Sequence, residues 1–300
     1  MSQAPSVIPL PAAAVSASRA PSRQSYEALR VFVRNPSAVF GVLLLAAILA
    51  VTIFGPMLMQ ADPFEIASAP MEPPGGEMLL GTDYLGRDVL TGMVYGGRAT
   101  LLVGVVAAVL SMAIGLTVGA LAGYYGGWVD ETLMRITEFF QVLPTLLFAM
   151  VLVTLFTPSL ATIAVAIGVV SWTGTARLAR GEFLRLKRRE YVLAERVIGA
   201  GDARIIWRVI LPNALAPLIV SATLAIGTAI LFEAGLSFLG LGDPNIMSWG
   251  LMIGSNRPYI LTAWWAVTLP GAAIFLTVLA VSLIGDGLND ALNPTSRGRS

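Results

Sequence analysis

The side chains able to do chemistry are few in this sequence, and they crowd into one place. Residues 177–212 hold nine of the 19 Lys and Arg residues. Within them, "YVLAERVIGAGDARIIWRVILP" (residues 191–212) sets a Gly-Ala-Gly break between two charged, helix-like runs. The types present exclude most catalysis. There is no histidine and no cysteine, which removes disulfides, Cys or His metal sites, thiol nucleophiles, Ser-His triads and the usual proton switch near neutral pH. The lone lysine, Lys187, is followed by Arg188 and Arg189 with no glycine-rich loop before it, so no phosphate-cradling Gly-Lys-Ser/Thr element exists. What remains is recognition: a charged helical surface offered to a partner. No catalytic residue, no metal site and no bound cofactor are expected on this chain.

Three more residues are candidates for a role inside apolar segments. Glu138 and Glu233 are ionisable groups in or near such segments, where a charge is a functional hypothesis by default. Glu138 follows Arg135 by three residues, so a local ion pair is the preferred reading. Glu233 precedes "AGLSFLG", where lining a polar vestibule competes with a structural hydrogen bond, and the structural role is favoured. Pro144 removes a backbone donor from an apolar run and is expected to kink it, shaping a pathway or only the packing.

The elements that must position these residues are membrane helices. The chain of 300 residues is 56% hydrophobic and 12% charged, with a mean hydropathy of +0.78, whereas soluble domains carry about 25% charged residues. Several apolar runs reach the roughly 20 residues that cross a bilayer as a helix. Six spans are predicted, over residues 37–59, 99–124, 133–156, from the turn at 157–159 to about 176, 214–233 and 264–284. Residues 1–30 read as a disordered cytoplasmic tail without a signal peptide. Residues 61–98 form an outer polar segment, 99–290 hold five further spans with the basic loop 177–212, and 291–300 form a second cytoplasmic tail. With the N-terminus inside, sixteen cations face the cytoplasm and three (Arg87, Arg98, Arg257) face out, a clear positive-inside asymmetry. Topology alone accounts for about half of the basic loop, Arg185, Lys187, Arg188 and Arg189 above all.

It does not account for the pattern beyond them. A first short helix is expected over residues 190–198, with Val192, Leu193 and Val197 as apolar contacts. Gly199, Ala200 and Gly201 then permit a sharp turn. Asp202 is placed to cap a second helix, on which Ile205, Ile206, Val209 and Ile210 form one apolar face with Arg204 and Arg208 outside it. Elsewhere, Gly115, Gly119 and Gly123 recur every four residues and read as close helix packing rather than gating. Trp249, Tyr259, Trp264 and Trp265 read as an interfacial aromatic belt, and "GTDYLGRD" (residues 81–88) as a loop built on local Asp contacts.

The basic loop resembles the "EAA" loop of ABC-importer permeases: E-A-A, three residues, Gly, nine residues, then I-x-L-P. Leu193, Ala194 and Glu195 stand at the E-A-A place, Arg196 follows, Gly199 is the glycine, and Val209, Leu211 and Pro212 close the pattern. Spacing is kept throughout, while Leu193, Glu195 and Val209 depart in identity. Four further stretches resemble the dipeptide/oligopeptide/nickel group of that family. They are "LLGTDYLGRDVLTGMVYGGRATL", "EAGLSFLGLGDP", "SWG" and "GDGLNDALNP", the last with Asn289 and Asn293 where Arg and Asp are usual. Together the resemblance runs from about residue 30 to 294.

The resemblance implies a fold and a role. The fold is an all-α, six-helix permease of the type I ABC-importer class, multi-pass in a bacterial plasma membrane, with both termini cytoplasmic. The role is half of a translocation pathway for di- or oligopeptides, working by alternating access and without catalysis. Its partners would be a second permease, two cytoplasmic ATPases that carry ATP and Mg, and an extracytoplasmic binding protein; no nucleic acid is implied. The docking residues would be Leu193, Ala194, Glu195, Arg196, Gly199, Ala200, Gly201, Asp202, Leu211 and Pro212. A nickel or other small-solute importer is the alternative within the family. Outside it stands an ion-gradient transporter, which would need titratable groups at mid-membrane.

Overall fold

The computed structural model describes residues 29–292, so most of the two expected tails, with Arg297 and Arg299, lie outside the described residues. Among those described, the regular elements are helices, with only isolated bridges such as Ile66 to Arg87 and Thr82 to Asp88. Five helices are long and apolar enough to cross a membrane: α1 (Pro36–Met59), α2 (Val89–Tyr125), α5 (Leu160–Lys187), α7 (Asp202–Phe238) and α9 (Trp265–Leu292). Between α2 and α5, α3 (Gly127–Val142) and α4 (Thr145–Leu155) form a pair bent by 88°, which makes six crossings when counted as one. The short helices α6 (Glu190–Val197) and α8 (Trp249–Asn256) lie between the long ones.

Several expected boundaries move, each for a local reason. α2 starts ten residues before the predicted span, because the Asp88 carboxylate accepts from Leu90 N and Thr91 N and caps it there. The expected kink at Pro144 is a full break. Leu143, pushed to extended backbone by the following proline, ends α3, and Pro144 itself opens α4. α5 runs past residue 176 to Lys187, so residues 177–187 of the basic segment continue a membrane helix instead of forming a loop.

Close packing of α2 against α5 is the most extensive contact in the fold and confirms the packing reading of the glycine series. A Cβ added at Gly119 would sit 2.2 Å from Ala176 O, one at Gly115 2.7 Å from Trp172 O, and one at Gly123 2.7 Å from Arg180 O. No larger residue permits the backbones to approach this far. α1 lies along α9. Asn35 caps α1 through Ser37 N and Ala38 N, and its Nδ2 donates to Asp290 Oδ2 at 3.2 Å.

The outer segment is organised as the Asp-rich stretch predicted. Asp83 Oδ1 accepts from Leu85 N and Arg87 N, while Thr82 Oγ1 accepts from Glu72 N and donates to Ala69 O. The aromatic belt needs correction. Trp249 and Trp265 are buried, and their indole N–H groups donate to Met93 O at 2.8 Å and Thr82 O at 3.0 Å. They lock α8 and the start of α9 onto α2 and the outer loop; Tyr259 and Trp264 are the exposed members.

Candidate coupling site

The basic segment folds into one compact corner at the cytoplasmic ends of α2, α5 and α7. Val192 of α6 and Ile205 and Ile210 of α7 are fully buried, against Phe183 and Leu186 of α5 and Ala120 and Tyr124 of α2. At Gly199, φ is +82°, a conformation open to glycine at little cost. The reversal is closed by Gly199 N donating to Arg196 O and Ala200 N donating to Glu195 O, both at 3.0 Å. This satisfies carbonyls at the end of α6 that its own last turn leaves free.

Beyond the turn, the expected second short helix is the first turns of α7 itself, continuous with the fifth span. Gly201, not Asp202, stands at its N-cap. Asp202 is instead drawn sideways, where its Oδ1 accepts the Tyr124 hydroxyl at 2.5 Å. Residues Ile205–Ile210 form a widened π turn. Pro212 accounts for it: it has no N–H for Arg208 O, and its ring crowds that carbonyl. The Asn213 side chain donates to Val209 O at 2.7 Å in the same place. π turns of this kind recur at functional sites.

Tyr124 is the hub of the corner. Arg196 lies over its ring at 5.4 Å and Lys187 at 5.6 Å, and Lys187 Nζ also donates to Tyr124 O. Sequence reasoning missed this residue, since nothing at the end of an apolar span distinguishes a hub tyrosine from an interfacial one. It also missed the fork between Arg180 and Asp130, at 2.5 and 2.6 Å, which ties α5 to α3.

The proposed docking residues divide by exposure. Leu193, Ala194, Arg196, Gly199, Gly201, Asp202 and Pro212 are exposed, while Glu195, Ala200 and Leu211 are half-buried. Glu195 turns back across the hairpin to Arg204, at 3.6 Å. Leu193 and Val197 were expected as packing contacts and are exposed instead, because the one buried stripe of α6 runs through Val192. Val197 is 87% exposed and Ile198 74%, and Tyr191 and Trp207 are exposed as well. Exposed apolar side chains grouped in this way are the kind of surface that marks an interaction site.

The three other candidates lie apart from this corner. Glu138 pairs with Arg135 at 3.6 Å on the exposed face of α3, as the local reading expected. Pro144 sits at the α3–α4 break. Glu233 is fully buried; its Oε1 accepts from Ser237 Oγ at 2.9 Å, one turn along the same helix, while its Oε2 has no hydrogen-bond partner.

Residues 115–298 match the model of the binding-protein-dependent transport system inner membrane component, and residues 24–74 match the N-terminal TM domain of oligopeptide transport permease C. The chain is 41% identical over 271 residues to the di/tripeptide transport system permease protein DppC of Pseudomonas aeruginosa (strain UCBPP-PA14), covering 88% of this chain and 89% of the relative. It is 41% identical over 277 residues to the dipeptide transport system permease protein DppC of Bacillus subtilis (strain 168), covering 90% and 86%. Among solved structures, an inward-facing MetNI methionine ABC transporter chain aligns with a TM-score of 0.57 at 21% identity, over 67% of this chain and 96% of that one. That likeness concerns the fold.

Proposed function

The chain belongs to the inner membrane components of binding-protein-dependent transport systems, and from that premise we propose that it forms half of an importer's path for di- or oligopeptides. It is a multi-pass permease subunit of the inner membrane. In this reading it is non-catalytic and pairs with a second permease. Two cytoplasmic ATPases dock on the loops of the permease pair and hold ATP and Mg, and an extracytoplasmic binding protein delivers peptide.

One observation carries the reading: the hairpin of α6 and the start of α7, with its exposed apolar tip and fully buried base. The tip offers the ATPase a purchase at Val197 and Ile198. The base hands any displacement on, since Val192, Ile205 and Ile210 are packed against α5 and α2, and α7 continues unbroken into the membrane. Close-packed interiors transmit such movement instead of absorbing it. The peptide assignment is supported by the dipeptide permeases among the relatives.

The test is Gly199→Val in the reconstituted complex. A β-branched residue at φ +82° costs roughly 1–3 kcal/mol of strain and deforms the turn. ATP-driven dialanine uptake should fall while the complex still assembles. Unchanged uptake per ATP hydrolysed would remove the docking assignment.

A further inference from the structure

Pro56 lies inside α1 and has no N–H to give to Thr52 O one turn back. The gap is filled from α2, where Arg98 Nε donates to Thr52 O at 2.8 Å and Nη2 to Ile53 O at 2.5 Å. A guanidinium carries five N–H groups, so three of these stay without a protein partner. Anchored to α1 in this way, the charge is fixed at one depth. That depth is the outer lipid–water boundary, because Arg98 is the last charged residue before 26 uncharged ones, 99–124, long enough to cross the bilayer.

Arg98 lines a cavity of about 370 Å³ between α2, the first residue of α5 and the segments that follow α1 and precede α8. Asp62, three residues past the end of α1, lines it too. Asp62 is exposed; its Oδ1 accepts from Phe64 N at 2.9 Å and its other oxygen has no protein partner. No ion pair joins Asp62 to Arg98, so one cavity holds a cation and an anion apart. Such a wall is complementary to a ligand carrying the opposite two charges. The rest of the lining is largely apolar, with Phe64, Leu160 and Ile246 beside Leu102. From Leu102 an exposed apolar stripe continues along α2 into the membrane through Val105, Val106 and Val109.

We propose that this cavity binds the headgroup of a zwitterionic phospholipid of the outer leaflet, phosphate on Arg98 and ammonium on Asp62, with an acyl chain along the α2 stripe. Arginine's free N–H groups suit phosphate oxygens, and the open Asp62 oxygen suits an ammonium donor. A free dipeptide also carries two opposite charges, but it has no tail for the stripe. The bound lipid ties the segment after α1 to α2 and the start of α5. This site is separate from the coupling corner, and the assignment holds whichever solute the chain passes.

The test uses the full complex in proteoliposomes with phosphatidylethanolamine that carries a diazirine in one acyl chain. After illumination, labelled peptides are mapped by mass spectrometry. Labelling should concentrate at residues 102–109, relative to the exposed Phe40 and Leu43 of α1, which serve as the internal control. Asp62→Asn, which keeps the acceptor for Phe64 N, and Arg98→Gln should each lower it at 102–109 by about tenfold, the effect of losing a hydrogen bond to a charged group. Labelling on α1 should not change. A phosphatidylglycerol probe, which lacks the ammonium, should label 102–109 less and be indifferent to Asp62→Asn. Equal labelling at 102–109 in all variants and with both probes would overturn the proposal, leaving only bulk lipid there. No labelling at 102–109 with either probe would also overturn it and give this face to a protein neighbour. Competition by excess dialanine at 102–109 would overturn it in favour of peptide termini.

Discussion

The Tyr124 hydroxyl donates to Asp202 Oδ1 at 2.5 Å, joining the cytoplasmic end of α2 to the first turn of α7 across the coupling corner. The two residues are far apart in sequence, and neither is close to the other's span. The bond fixes the direction in which α7 leaves the hairpin, since Asp202 is the first helical residue after the Gly199–Gly201 turn. Arg196 and Lys187 over the Tyr124 ring bring α6 and α5 to the same point. One ring thus touches every element of the corner.

Tyr124→Phe keeps the ring and its cation contacts and removes only the hydroxyl, leaving a charged acceptor short of a partner. It should cost about 1–3 kcal/mol and lower the transport achieved per ATP. Asp202→Asn retains an acceptor and should cost less. Thermal unfolding of the purified complex and uptake-to-hydrolysis ratios in proteoliposomes measure both. Equal effects of the two substitutions would show that the hydrogen bond does not organise the corner.

Val197→Asp tests the tip. Val197 is almost wholly exposed, so the substitution should change stability by no more than about 0.5 kcal/mol. At a buried interface with an ATPase, however, a carboxylate in an apolar contact should weaken binding by about tenfold or more. Co-purification of the ATPases with the permease reads the effect. Normal co-purification would move the docking surface elsewhere.

Gly119→Leu tests the helix pairing that carries movement inward. Its Cβ alone would lie 2.2 Å from Ala176 O, a backbone atom that cannot step aside. Separating α2 from α5 should cost roughly 3 kcal/mol, seen as loss of monodisperse protein. Gly271→Ala, where nothing lies within 4 Å of the added Cβ, should instead gain up to about 1 kcal/mol.

The division between what was legible and what was not follows the range of the forces involved. Hydropathy and the arginine asymmetry determined the membrane class, the spans and which side the basic segment faces, because burial in lipid acts on each segment separately. Motif spacing placed the turn at Gly199, since a left-handed backbone is a local demand that glycine meets alone. The same local logic found the Asp83 loop and the Arg135–Glu138 pair. Only the tertiary structure decided that Asp202 faces Tyr124 instead of capping a helix, that Val197 faces outward, and that Trp249 and Trp265 are interior struts. Each of these depends on which helix lies opposite, and in lipid that choice comes from close packing between small residues on distant segments, which no single stretch of sequence contains.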